Sequence, residues 1–104
     1  MPPLRVLPLD ELLRYQAREC EAMGSTLYAR VLDGVLDDLA AGGVCAAILR
    51  PRAGDSVTSA LQLRFLGAIH RQVLEGRASE LAAHYPSVGG TPGPSLVRDF
   101  LAAV

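Results

Sequence analysis

Apolar positions recur at helical spacing along most of the chain. From about Leu9 to Met23, the residues Leu9, Leu12, Leu13, Gln16, Ala17, Cys20 and Met23 share one face, with Glu11, Arg14, Arg18 and Glu21 opposite. Pro8 and Asp10 suit the first turn of this helix, and Gly24 suits its stop. A second helix is expected over roughly Thr26 to Ala41. Leu27, Tyr28, Val31, Leu32, Val35, Leu36 and Leu39 form its apolar side. Arg30, Asp33, Asp37 and Asp38 read as its solvated edge, and Gly42-Gly43 ends it.

The longest helical pattern spans residues 59–76. Ala60, Leu63, Leu66, Gly67, Ile69, His70, Val73 and Leu74 fall on one broad face, and Arg64, Arg71 and Glu75 lie away from it. Leu61 and Phe65 fall off that stripe. A helix apolar on more than one side is touched by more than one neighbour, which puts this one at the expected centre of the fold. Asp55 or Ser56 suits its start and Gly76 its end.

The remaining elements are short. Val44 to Leu49 is an apolar run stopped by Pro51, and periodicity alone leaves helix and strand open, with its two alanines favouring helix. Residues 50–56 read as a loop, Ser79 to His84 as a short helix stopped by Pro86, and 87–94 as a loop or linker. Ser95 caps a last amphipathic stretch, Leu96 to Val104. The expected fold is all-α: a small irregular bundle of four to five helices around 59–76, forming one domain over 1–104. The apolar ending at Val104, without a polar tail, is expected of the N-terminal part of a longer protein.

Composition narrows the function classes. The chain has 104 residues, 50% of them hydrophobic and 5% aromatic, so its core is built from Leu, Val, Ile and Ala. Charged residues make up 20%, below the usual share of about 25%, so part of the surface is expected to be covered. A net charge of −1 gives no nucleic-acid footprint. All ten basic residues are arginine, which excludes lysine chemistry. No run of about 18 apolar residues exists, so no membrane span is expected. The N-terminus lacks a signal-peptide core, and Cys20 and Cys45 form no CxxC pair, which fits a reduced, cytoplasmic protein.

Few residues suggest chemistry. Gln16 interrupts an apolar stripe and requires a partner, either His70 or a backbone group. His70 reads as a core histidine bonded to backbone or to a polar neighbour. His84-Tyr85-Pro86-Ser87 with Gly89-Gly90 sets titratable and hydroxyl groups beside backbone N–H groups of the kind that bind anions, although turns use the same residues. The candidate polar cluster is therefore Gln16, His70, His84, Tyr85, Ser87, Gly89 and Gly90. No GxSxG elbow is present, and the spacing of Cys20, Cys45, His70 and His84 matches no zinc site. No catalytic residue, cofactor or metal ligand is assigned.

Three separated blocks carry a family resemblance. They are Gln16-Ala17, Cys20, Met23-Gly24-Ser25 and Leu27-Tyr28; then Leu66-Gly67-Ala68-Ile69-His70 and Val73-Leu74-Glu75-Gly76-Arg77; then Leu81-Ala82-Ala83-His84-Tyr85-Pro86-Ser87 and Gly89-Gly90. The chain resembles the bacterial family called domain of unknown function 2332. The resemblance implies that this chain is the N-terminal third of a longer protein, and it implies no activity. Thr26 stands where the family pattern leads one to expect proline.

Two readings follow. The first is a helical interaction module that packs on the rest of its own chain or forms a homo-oligomer. The alternative is one wall of a small-molecule-binding or enzymatic site completed by residues beyond this chain, with His84, Tyr85, Ser87 and Gly89-Gly90 in front and His70 and Gln16 behind.

Overall fold

The structure is a computed structural model and describes residues 8–52 and 61–104. The described residues form six α-helices: α1 (Leu9–Ala22), α2 (Thr26–Ala40), α3 (Val44–Leu49), α4 (Leu61–Leu74), α5 (Ser79–Ala82) and α6 (Leu96–Ala103). Short 3-10 turns follow at Arg50–Arg52 and Pro86–Val88. The architecture is the all-α bundle expected. Val44–Leu49, left open between helix and strand, is helical. The proposed caps Asp55 and Ser56 lie outside the described residues.

α1 and α2 form an antiparallel pair joined by a tight turn. Gly24 ends α1 with φ +84°, a left-handed conformation that disfavours residues with a Cβ. The Ser25 N–H then reaches back to the Cys20 carbonyl at 2.8 Å, which closes the helix end. Leu9, Leu12, Leu13, Ala17 and Cys20 of α1 are buried, as are Val31, Leu32, Val35 and Leu39 of α2. Both expected stripes are thus inside, except that Met23 is 83% exposed.

The larger share of the middle belongs to α2, which packs against α1, α3 and α6. Gly34 makes the α2–α6 contact close, because a Cβ there would collide with the Val97 side chain. α4 packs against α1 and α5, and Phe65 meets Phe100 of α6 edge to face at 5.8 Å.

The inward face of α4 differs from the stripe expected. Leu61, Gln62, Phe65, Leu66, Ile69 and Val73 are buried, whereas Leu63 and Leu74 are 49% and 59% exposed. The helix is turned by about one residue, or ~100°, toward Leu61 and Phe65. The bulk of Phe65 explains this, since an aromatic ring offers more apolar area to bury than Leu63 or Leu74.

Asp38 also departs from expectation. Asp37 is exposed, but Asp38 is half-buried and its Oδ2 accepts the Cys45 N–H at 2.8 Å. It thereby satisfies one of the free donors at the start of α3. Gly43 is needed beside it, because a Cβ there would strike the Asp38 carboxylate. Burial first, then the Asp38 charge, pushes the Cys45 thiol up to about 12.

Candidate functional site

The fold distributes the expected polar cluster over three settings. The first lies where the end of α5 meets α6. His84 and Asp99 are both buried, and His84 Nε2 lies 2.8 Å from Asp99 Oδ2. The Gly93 N–H donates to His84 Nδ1 at 2.9 Å, so that nitrogen carries a lone pair and the proton sits on Nε2, donated to Asp99. The Ser95 hydroxyl donates to the same carboxylate oxygen at 2.9 Å instead of capping α6. Arg98 lies against the other oxygen at 3.3 Å. These bonds, led by those from His84 and Ser95, hold the Asp99 carboxyl below its usual range against the opposing effect of burial.

Ser, His and Asp meet here, but not as a nucleophilic triad. In a triad, serine and aspartate occupy opposite ring nitrogens, so that the imidazole relays a proton between them. Here Ser95 and Asp99 both sit at Nε2, and a backbone N–H fills Nδ1. The cluster is a latch. It fastens the loop after α5 to α6, and Arg30 of α2 secures the same loop by donating to the Gly93 carbonyl at 2.7 Å.

The second setting is the α1–α4 seam. Gln62 Nε2 donates to Gln16 Oε1 at 3.1 Å, and Gln16 Nε2 lies 3.6 Å from Cys20 Sγ. The expected partner of Gln16 was His70 or a backbone group; the structure supplies Gln62. The Oε1 of Gln62 is buried without a hydrogen-bond partner among the described residues.

The third setting joins α4 to the Pro86–Val88 turn. His70 is only half-buried, and its Nε2 lies 2.9 Å from the exposed Ser87 hydroxyl. The imidazole also stacks on Tyr85, with ring centres 5.3 Å apart. Tyr85 is 1% exposed, packs edge to face on Tyr28 at 6.4 Å, and has no partner for its hydroxyl among the described residues. Burial, with Tyr28 adding to it, raises the Tyr85 phenol well above its ordinary range.

The glycine loop is not the bare anion cradle that its sequence suggested. The N–H of Gly89 donates to the Pro86 carbonyl at 3.0 Å, that of Gly90 to Tyr85 at 2.9 Å, and that of Thr91 to Ala83 at 2.8 Å. Gly90 is required for packing, since a Cβ there would strike the Ala83 carbonyl. His84 and Tyr85, although adjacent in the chain, thus serve opposite sides: His84 faces α6, and Tyr85 faces α2 and α4.

Residues 10–104 match the model of a family described as "Uncharacterized protein conserved in bacteria (DUF2332)". The chain belongs to the DUF2332 family. No curated protein and no solved structure matches it.

Asp99, Gly93 and Gln62 escaped the sequence reading of this DUF2332 chain, in which Ser95 stands only as a helix cap, though a signal existed for Asp99 and Gln62. Asp99 falls between Leu96 and Phe100 on the apolar stripe of α6, and Gln62 lies on the stripe of Leu61, Phe65 and Leu66. A polar residue inside a stripe marks a buried bond, as it did for Gln16. No helix among the described residues is long and apolar enough to cross a membrane.

One surface of this DUF2332 chain stands apart. Leu63, Gly67, His70 and Leu74 follow each other at helical spacing along the outer side of α4, and all but the half-buried His70 are exposed. Among the described residues, nothing lies within 4 Å of a Cβ built on Gly67.

Proposed function

We propose that this chain is a helical interaction module, and that the outer stripe of α4 is its docking surface. The occupant is the rest of its own chain or a second copy of the module. The observation that carries this reading is the alignment of exposed Leu63 and Leu74 with Gly67 between them. A single exposed leucine needs no explanation. Two on one stripe, with a glycine whose outer side meets none of the described residues, form a helix-sized apolar track.

Energetics supports the same reading. Glycine inside a helix costs roughly 0.5–1 kcal/mol relative to alanine. At Gly67 that cost brings no packing gain among the described residues, since the space beside it is open to them. Covering a half-exposed leucine contributes on the order of 1 kcal/mol. A docked helix would recover both, and the missing side chain lets its backbone approach closely.

The test is a photo-crosslinking residue at position 74 of the intact protein in its source cells, with position 23 as control because Met23 is the more exposed at 83%. Position 74 is expected to give a defined product that mass spectrometry maps to an apolar segment. Labelling no greater than at position 23 would contradict the reading.

A further inference from the structure

We propose that Ser87 and His70 form a nucleophilic dyad, in which the Ser87 hydroxyl takes the acyl group of an activated carboxylic ester and His70 is the base. This does not rest on the docking reading, because the reacting hydroxyl stands on the Pro86–Val88 turn. The observation that carries it is a nucleophile in contact with a base where solvent reaches them. Ser87 is exposed, His70 is half-buried, and His70 Nε2 lies 2.9 Å from Ser87 Oγ. That separation is within the reach that proton transfer needs.

Both groups stand on fixed supports. Pro86 opens the turn, and the N–H groups of Val88 and Gly90 tie it to the Tyr85 carbonyl at 3.1 Å and 2.9 Å. His70 belongs to α4, and its ring lies on the buried Tyr85 with ring centres 5.3 Å apart. A reacting pair needs such support, because its geometry must persist until a substrate arrives. The other serine beside a histidine makes the contrast. Ser95 lies 3.3 Å from His84 Nε2, but it donates to Asp99, and the His84 ring is buried. That serine is an element of the latch, whereas Ser87 meets its imidazole at the surface.

The step uses the tautomer with its proton on Nδ1, so that Ser87 donates to Nε2. Ser87 Oγ forms a bond to the ester carbonyl carbon as its proton passes to Nε2. The bond from that carbon to the leaving oxygen then breaks, and His70 returns the proton to that oxygen. Water repeats the sequence on the acylated serine, which releases the carboxylic acid and restores Ser87. The surroundings set the substrate class. The N–H groups of Gly89, Gly90 and Thr91 already donate to backbone carbonyls, so they are not available to an oxyanion or a phosphate. The pair therefore suits a neutral ester whose leaving group departs readily, such as an aryl ester.

The test incubates the intact protein with p-nitrophenyl acetate and maps acetylated peptides over time by mass spectrometry. Ser79, exposed at the start of α5, is the internal control. Ser87 is expected to be acetylated at least about tenfold faster than Ser79, since a positioned base contributes typically about 10²–10⁴-fold. Acetylation of Ser87 no faster than of Ser79 would overturn the dyad, and this comparison needs no variant. His70→Gln is expected to bring Ser87 down to the rate of Ser79, and an unchanged rate would overturn His70 as the base. Ser87→Ala is expected to remove most of the p-nitrophenolate release that the protein adds to buffer. Release retained in full would overturn Ser87 as the acyl acceptor and assign the reaction to the imidazole alone.

Discussion

His84 donates its Nε2 proton to Asp99 across 2.8 Å, with both side chains buried between the end of α5 and α6. The backbone of Gly93 fixes the ring from its other nitrogen. This arrangement makes the loop before α6 a fixed part of the bundle.

The latch gives the fold an acid-sensitive component. The Asp99 carboxyl is held below its ordinary range, first by His84 and then by Ser95. A carboxyl whose folded value is depressed stabilises the fold above its unfolded value of about 3.9, and that contribution is lost as pH falls through the folded value. Melting temperature is therefore expected to drop as pH falls below about 4, and Asp99→Asn is expected to flatten that segment of the profile. An identical acid slope in the variant would rule the latch out as its source.

Tyr85 carries a buried hydroxyl with no hydrogen-bond partner among the described residues. An unsatisfied buried hydroxyl costs about 1–3 kcal/mol, so Tyr85→Phe is expected to leave stability unchanged or raise it by roughly 1 kcal/mol. Urea unfolding measures this directly. A loss of more than about 1 kcal/mol would mean that the hydroxyl has a partner.

Gly34 and Val97 set the spacing of α2 and α6. Gly34→Ala drives a methyl group into Val97 and is expected to destabilise by about 1–3 kcal/mol. Val97→Ala on the same chain makes room and is expected to restore much of the loss. Additive losses in the double variant, read by chemical denaturation, would contradict the close contact.

Gln16 and Gln62 form a coupled pair at the α1–α4 seam. Gln62→Leu alone is expected to cost about 1–2 kcal/mol by stranding the Gln16 carbonyl oxygen. The double Leu variant removes both polar groups and is expected to cost less than the sum, by on the order of 1 kcal/mol, in a thermal or urea double-mutant cycle. Strict additivity would show that the pair does not interact.

The sequence made the helices legible because their stripes repeat over several turns, and the inward faces of α1 and α2 were readable apart from the exposed Met23 and the buried Gly34. The face of α4 was not, because that helix is apolar on two sides and only a tertiary contact, Phe65 against Phe100, decides which side turns in. The side with Leu63, Gly67 and Leu74 reads as the core side because it is itself apolar; in the fold it is the outer side. Asp38 and the Gly89-Gly90 loop show a second limit. An acid at a helix edge and a glycine turn look solvent-ready in sequence, but the start of α3 and the carbonyls of residues 83–86 take up their hydrogen bonds. Of the candidate polar residues, only His70 and Ser87 were brought together by a direct bond between side chains.

The central claim is that the outer stripe of α4 is covered in the native protein. Hydroxyl-radical footprinting of the intact protein, compared after correction for intrinsic reactivity, reads this at Leu63 and Leu74 against Tyr15, which are 49%, 59% and 50% exposed in the chain by itself. Protection of Leu63 and Leu74 together, with Tyr15 oxidised freely, is the predicted result. Oxidation of all three in proportion to those exposures would contradict it.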